Sequence, residues 1–203
     1  MKLLIILLII ITVIIFIYYK FFIHEYTNLF DDVIVLNNNF NKQISNLYLP
    51  ESKNGIEFSY TFWIYFKNIP ENANLLKYNY KKNKFIFGIH NSPGFYYNII
   101  NNQLIMNIKY NTKSYSVNIN DLKLQKWNHI AIVLNNRELS IYIDSKLYKT
   151  TLIPSVPFIY NRDLNIGEKN NNFNGLLADG RYYNKALSQT KITTIYSNYK
   201  FNK

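Results

Sequence analysis

Ile56-Glu57-Phe58-Ser59-Tyr60-Thr61-Phe62-Trp63-Ile64-Tyr65-Phe66 places an apolar side chain at every even position and a more polar or amphipathic one at most odd positions. A period of two over so long a run predicts a β-strand with one face turned to a core. Shorter runs of the same kind follow at 84–90, 94–100, 103–110, 113–119, 127–134, 138–144, 146–152, 162–167 and 176–184. Between them stand residues that favour turns: Asn91-Ser92-Pro93-Gly94, Asn101-Asn102, Asn135-Asn136, Asp144-Ser145 and the cluster 170–174. Many short strands at roughly ten-residue spacing predict an all-β chain folded as a two-sheet antiparallel sandwich or jelly roll. One short C-terminal helix is expected: Ser188 reads as its N-cap, Leu187 staples against Ile192, and Ile195, Tyr196 and Tyr199 continue an apolar face.

Upstream the pattern changes. From Leu3 to Tyr19 only Thr12 is polar, and Phe21 to Ile23 extends the run past Lys20. Seventeen to twenty helical residues cover roughly 26–30 Å, the thickness of a bilayer's hydrocarbon core. A cleavable leader would have a shorter apolar region and small residues at the cut, whereas Tyr18-Tyr19-Lys20-Phe21-Phe22-Ile23 reads as an interfacial belt. The expectation is a single transmembrane helix over 1–23, a polar stalk over 24–54 and one sandwich domain over 55–203. Lys2 and the amino terminus precede the span, which leans the domain to the non-cytoplasmic side.

Composition removes whole classes. There is no cysteine, so disulfide scaffolds, thiolate metal sites and cysteine nucleophiles are excluded, and the three histidines are too far apart for an HExxH site. From residue 55 onward the chain holds 19 Lys and Arg against 8 Asp and Glu, so the sandwich carries the whole net charge of +11. Such a surface suits an anionic partner, yet no nucleic-acid motif is present. No asparagine stands in an N-x-S/T triplet, which fits a domain kept free of glycans or one that never meets the glycosylation machinery.

Two motifs carry a family resemblance. Lys126-Trp127-Asn128-His129-Ile130-Ala131-Ile132-Val133, with the strand from Leu139 to Asp144 and its continuation Ser145-Lys146-Leu147, resembles the W-x-H-I-A hairpin of laminin-G-like domains, part of the concanavalin A-like lectin/glucanase superfamily. Leu164-Asn165-Ile166-Gly167, then Phe173 to Asp179, Arg181-Tyr182-Tyr183-Asn184 and Ala186-Leu187-Ser188 is similar to that family's closing segment. The resemblance covers about residues 55–200 and implies a concanavalin A-like jelly roll in which Trp127, His129, Asp144, Gly167, Gly175, Asp179 and Arg181 are structural. Trp127 and His129 are expected to pack inside the sandwich, Asp179 and Arg181 to form an ion pair, and Asp144 to make a turn. Two departures stand out: Ser145 replaces the glycine of the usual Asp-Gly turn, and Gly180 stands where a second acid is usual.

The family's enzymes pair two glutamates on one strand, which puts both carboxylates on the same face. The domain's acids (Glu57, Glu71, Asp121, Glu138, Asp144, Asp163, Glu168, Asp179) contain no such pair at i, i+2 or i+4. No cofactor is therefore expected, apart from a Ca²⁺ that some laminin-G-like modules hold at the loop rim, for which Asp121 and Asp163 are the candidates here. Rings interleaved with lysine and amide groups suggest a contact surface instead: Tyr78, Tyr80, Lys81 and Lys82, with Asn91, Tyr96 and Tyr97 in a second loop. The sequence reading is a membrane-anchored, non-enzymatic module that binds glycan or protein through rim loops. Its rivals are a structural envelope protein of a large DNA virus or AT-rich protist, and a glycoside hydrolase.

Overall fold

The computed structural model describes residues 9–15, 26–37, 39–52, 56–67, 83–90, 92–170, 173–199 and 201. Its first strands are β1 (Thr27–Phe30), β2 (Ile34–Leu36) and β3 (Lys42–Ile44), followed by β4 (Glu57–Phe66), β5 (Asn83–Gly88) and β6 (Gly94–Asn98). Next come β7 (Gln103–Tyr110), β8 (Lys113–Ile119), β9 (Trp127–Asn135), β10 (Glu138–Ile143) and β11 (Lys146–Leu152). Finally β12 (Leu164–Ile166) and β13 (Gly175–Tyr183) lead into a helix, Gln189–Ser197. The strands form two antiparallel sheets. One runs β1-β13-β4-β9-β10-β11, with β2 also on β13; the other runs β3-β12-β5-β6-β7-β8. The expected all-β sandwich with one C-terminal helix is the observed architecture.

The even positions of β4 do what their period implies. Phe58, Tyr60, Phe62, Ile64 and Phe66 all enter the core between the sheets, where Phe62 meets the rings of Phe87 and Phe95 edge-on at 4.8 and 5.5 Å. Such ring pairs add about 0.5–1.5 kcal/mol beyond the apolar area they bury.

The outer face of the seven-stranded sheet is covered as well. Ala131, Val133, Tyr142 and Tyr183 form a second apolar cluster with Leu187, Ile192 and Ile195 of the C-terminal segment. Ser188 caps the helix, its Oγ accepting the Lys191 N–H at 3.3 Å. Ser59 tethers the approach to the helix: its hydroxyl donates to the Lys185 carbonyl (2.8 Å) and accepts from the Leu187 N–H (3.0 Å).

Residues 24–54 were expected as a stalk, and that expectation needs correcting. β1 and β2 both pair with β13, and β3 pairs with β12, so this segment contributes to both sheets. Leu29, Phe30 and Leu36 are buried, and that burial holds the segment on the sandwich. The same pairing accounts for Gly180. A Cβ there would stand 2.2 Å from the Phe30 ring, so no acid fits at that position once Phe30 is in place.

The β10–β11 turn keeps its usual form despite the serine. Asp144 and Ser145 both have positive φ (49° and 65°), as a two-residue type I′ turn requires. Ser145 therefore pays a conformational cost that glycine would avoid. Ser145→Gly is expected to stabilise the protein by roughly 0.5–1 kcal/mol, read as a higher urea midpoint with an unchanged slope.

Among the described residues no helix is long and apolar enough to cross a membrane. Of the predicted span, only residues 9–15 fall within the described residues, and they are helical.

Candidate functional site

At one end of the sandwich lies a cleft of about 500 Å³. Its floor is the core face of β4 and β13, presenting Phe58, Tyr60 and Tyr182. One wall is the stretch 46–52, which begins with a 3-10 turn at Asn46–Tyr48, and the other is the loop 155–162. The walls are joined by long-range hydrogen bonds. The Asn46 N–H donates to the Asp163 carboxylate (2.9 Å), and the Asn46 amide donates to Asn161 Oδ1 (2.5 Å). The Tyr182 hydroxyl donates to the Pro50 carbonyl at 3.0 Å, and Ser92 Oγ bridges the Phe158 carbonyl and the Tyr160 N–H.

The lip combines rings with cations. Lys109 and Arg162 both lie over the Tyr160 ring, at 5.7 and 5.2 Å from its centroid, and Phe158 stacks on it at 6.5 Å. Apolar floor, aromatic lip, the Arg162 guanidinium, the Glu51 and Glu57 carboxylates and amides from Asn46 and Asn161 suit a ligand with a flat apolar face and polar edges. Sequence reasoning missed this cleft. The available signal was Pro154-Ser155-Val156-Pro157-Phe158, where two prolines keep apolar residues out of a strand.

The predicted contact residues divide. Tyr78, Tyr80, Lys81, Lys82 and Asn91 lie outside the described residues. Tyr96 stands on the outer face of β6, where its hydroxyl meets His90 Nδ1 at 2.9 Å and burial raises its pKa. Tyr97 was expected on the same surface and is not there. Its ring lies in the core against Phe66 and Phe173 at 4.7 and 5.1 Å, its hydroxyl donates to Asn102, and burial pushes its pKa up to about 12. Adjacent residues of a strand point to opposite faces, so the pair cannot share a surface.

The two calcium candidates do not meet. Asp163 precedes β12 and accepts from Asn46, whereas Asp121 follows β8 on the far side of the same sheet. Among the described residues no three His, Asp or Glu side chains are grouped so as to hold an ion.

The structural set needs one correction. His129 and Trp127 were expected inside the sandwich, but both lie on the outer face of the seven-stranded sheet. His129 is buried beneath the C-terminal segment, 5.1 Å from Trp63 and 5.7 Å from Tyr196, and Trp127 stacks on Phe201 at 4.1 Å. The parity of β9 explains it, because Ile130, Ile132 and Leu134 take the core side. Asp144 ties the turn to this strand: its carboxylate accepts from the His129 N–H (3.0 Å) and pairs with Lys123 (2.7 Å). Asp179 and Arg181 do form an ion pair, at 2.7 Å across a bulge. Burial raises the Asp179 carboxyl, and the Arg181 charge offsets this only in part. Gly167 takes φ 75° after β12, and a Cβ on Gly175 would stand 2.1 Å from the Phe173 ring.

Two facing antiparallel sheets with a cleft at one end define a jelly-roll sandwich. The chain belongs to the concanavalin A-like lectin/glucanases superfamily: its laminin G model matches residues 41–193. No curated protein matches the sequence. Among solved structures, the chain is similar to the binding domain of botulinum neurotoxin serotype G (19% identity, TM-score 0.57), covering 85% of this chain and 46% of that one. It is also similar to the binding domain of Paraclostridial Mosquitocidal Protein 1 (14%, TM-score 0.60; 82% and 47%). The receptor-binding domain of botulinum neurotoxin D gives 19% and 0.55, with 82% and 47% covered. At these identities the likeness is one of fold, and the chain spans about half the length of each of these structures.

Proposed function

We propose that this chain is a membrane-anchored, non-enzymatic recognition module. Residues 3–23 hold it in a bilayer, the sandwich stands on the non-cytoplasmic side or on a virion surface, and the cleft takes a glycan or protein ligand. The observation that carries the reading is the cleft itself: preformed, ring-lined, cross-braced and bordered by Arg162. The toxin domains named as binding or receptor-binding domains lend the class of activity.

Phe158 and Arg162 are exposed and can be removed without disturbing the core. On a glycan array and in peptide pull-downs, Phe158→Ala and Arg162→Ala are each expected to weaken the best ligand about tenfold, close to 1.4 kcal/mol, at unchanged melting temperature. Unaltered binding in both variants would remove the cleft from the proposal. One observation favours a glucanase as second reading: Glu51 and Glu57 both border the cleft. Turnover of a β-glucan, lost in Glu51→Gln or Glu57→Gln, would decide for it.

A further inference from the structure

The point where the chain enters the sandwich and the mouth of the cleft share one end of the molecule. Thr27 opens β1 opposite Tyr182, near the end of β13, and Tyr182 lies opposite Tyr60 near the start of β4. At that end β9 finishes, with Asn135 opposite Glu57, and β11 finishes, with Leu152 opposite Glu138. Glu57, Tyr60 and Tyr182 are also cleft residues.

Exposed apolar side chains collect there. Leu47 is 86% and Tyr48 67% exposed on one lip, Phe158 is 51% exposed on the other, and Val156 and Ile159 flank it. The Thr27 hydroxyl donates to the Tyr48 carbonyl at 2.5 Å, so the Leu47-Tyr48 turn stands beside the first residue of the sandwich.

Because residues 27–44 belong to the sheets, little chain remains as a tether. Only residues 24–26 separate Thr27 from the apolar run 3–23. Four extended steps from Ile23 to Thr27 reach at most about 14 Å. The polar layer on each side of a bilayer is itself roughly 5–8 Å deep. Arg137, Arg162 and Lys113 stand at this end, but so do Glu51, Glu57 and Glu138. Charge is therefore mixed, and the short tether with the exposed rings carries the argument.

We infer that, given the anchoring proposed above, this end of the sandwich rests on the bilayer. Leu47, Tyr48 and Phe158 enter the headgroup layer, and the cleft opens onto lipid headgroups. Tyr48 suits that layer because it accepts an apolar ring and a polar hydroxyl together, while Leu47 and Phe158 gain by burying apolar surface at the boundary with the acyl chains. A ligand then reaches the cleft along the membrane plane, carried by a headgroup of the same bilayer.

The chain has no cysteine, so single-cysteine labelling is clean. The full chain is reconstituted in vesicles of phosphatidylcholine and phosphatidylserine as Leu47→Cys, Phe158→Cys or Lys146→Cys. Lys146 starts β11 at the opposite end and serves as control. Each variant carries an environment-sensitive fluorophore, and quenching by nitroxide-bearing lipid is read. Quenching at 47 and 158 is expected to exceed that at 146 by about threefold or more, as residence in the interfacial layer requires. Equal quenching at all three sites, with the chain still floating with the vesicles, overturns the docking and leaves the anchor standing. A chain that does not float with the vesicles overturns both.

Discussion

Trp63→Ala is expected to cost about 3–5 kcal/mol of stability and to free the C-terminal segment from the sheet. Trp63 is buried on the outer face of β4, and the chain's last described residues are built around it. Its indole stacks on Tyr196 and Tyr199, both at 5.5 Å, and meets Phe201 edge-on at 5.7 Å. Removing the indole leaves these rings facing a void rather than a partner. Nothing else in the described structure closes that void, because the helix itself is held farther along, at Ile192 and Ile195. Trp63→Phe keeps a ring there and removes an indole N–H that has no hydrogen-bond partner among the described residues, so it should cost less, under about 2 kcal/mol. Urea unfolding gives the magnitudes. Limited trypsin cleavage after Lys191 separates local release from global unfolding: rapid cleavage in Trp63→Ala with the sandwich intact is the expected result. Equal stability of Trp63→Ala and the parent chain would mean that the outer cluster is not a second core.

The same residue shows what a sequence can and cannot display. Strand positions were legible because alternation and turn chemistry are local: Gln103–Tyr110, Lys113–Ile119 and Lys146–Leu152 coincide with the expected runs. Which face of a strand is covered is not local. Trp63 and His129 belong to strands buried on both sides, and periodicity reads alike whether the second face meets solvent or a helix. β1 and β3 escaped notice because strands of three or four residues are specified by partners more than a hundred residues away on β13 and β12. The cleft was hidden for the same reason. Its walls, 46–52 and 155–162, meet only through folding, and neither contains a motif. Tyr96 and Tyr97 looked equivalent in composition, whereas the register of Tyr97 opposite Leu104 turns it into the core.

A second large effect is expected from pH, acting through His129. The imidazole is buried and neither ring nitrogen has a hydrogen-bond partner among the described residues. Burial holds its pKa down to about 4; Asp144 opposes this shift, and Arg181 adds to it. In the unfolded chain the group titrates near 6.5. Between these values the unfolded state binds a proton that the folded state refuses, so stability falls as pH drops from about 6.5 towards 4 and the loss is complete below that. Two and a half units correspond to roughly 3 kcal/mol. Asp179 acts in the opposite direction, since a raised carboxyl favours the folded state as acid is added. The His129 share is therefore read as a difference: urea midpoints from pH 4 to 7.5 for the parent chain against His129→Phe, which keeps a ring and cannot titrate. The parent curve should fall below the variant's on the acid side, by up to roughly 3 kcal/mol. Coincident curves would mean that the folded protein protonates His129 freely. Because the imidazole lies between Trp63 and Tyr196, a proton forced onto it strains the C-terminal segment before it reaches the sandwich core on the other face of the sheet. Tryptophan fluorescence and C-terminal trypsin cleavage should therefore change at a higher pH than the far-UV signal of the strands.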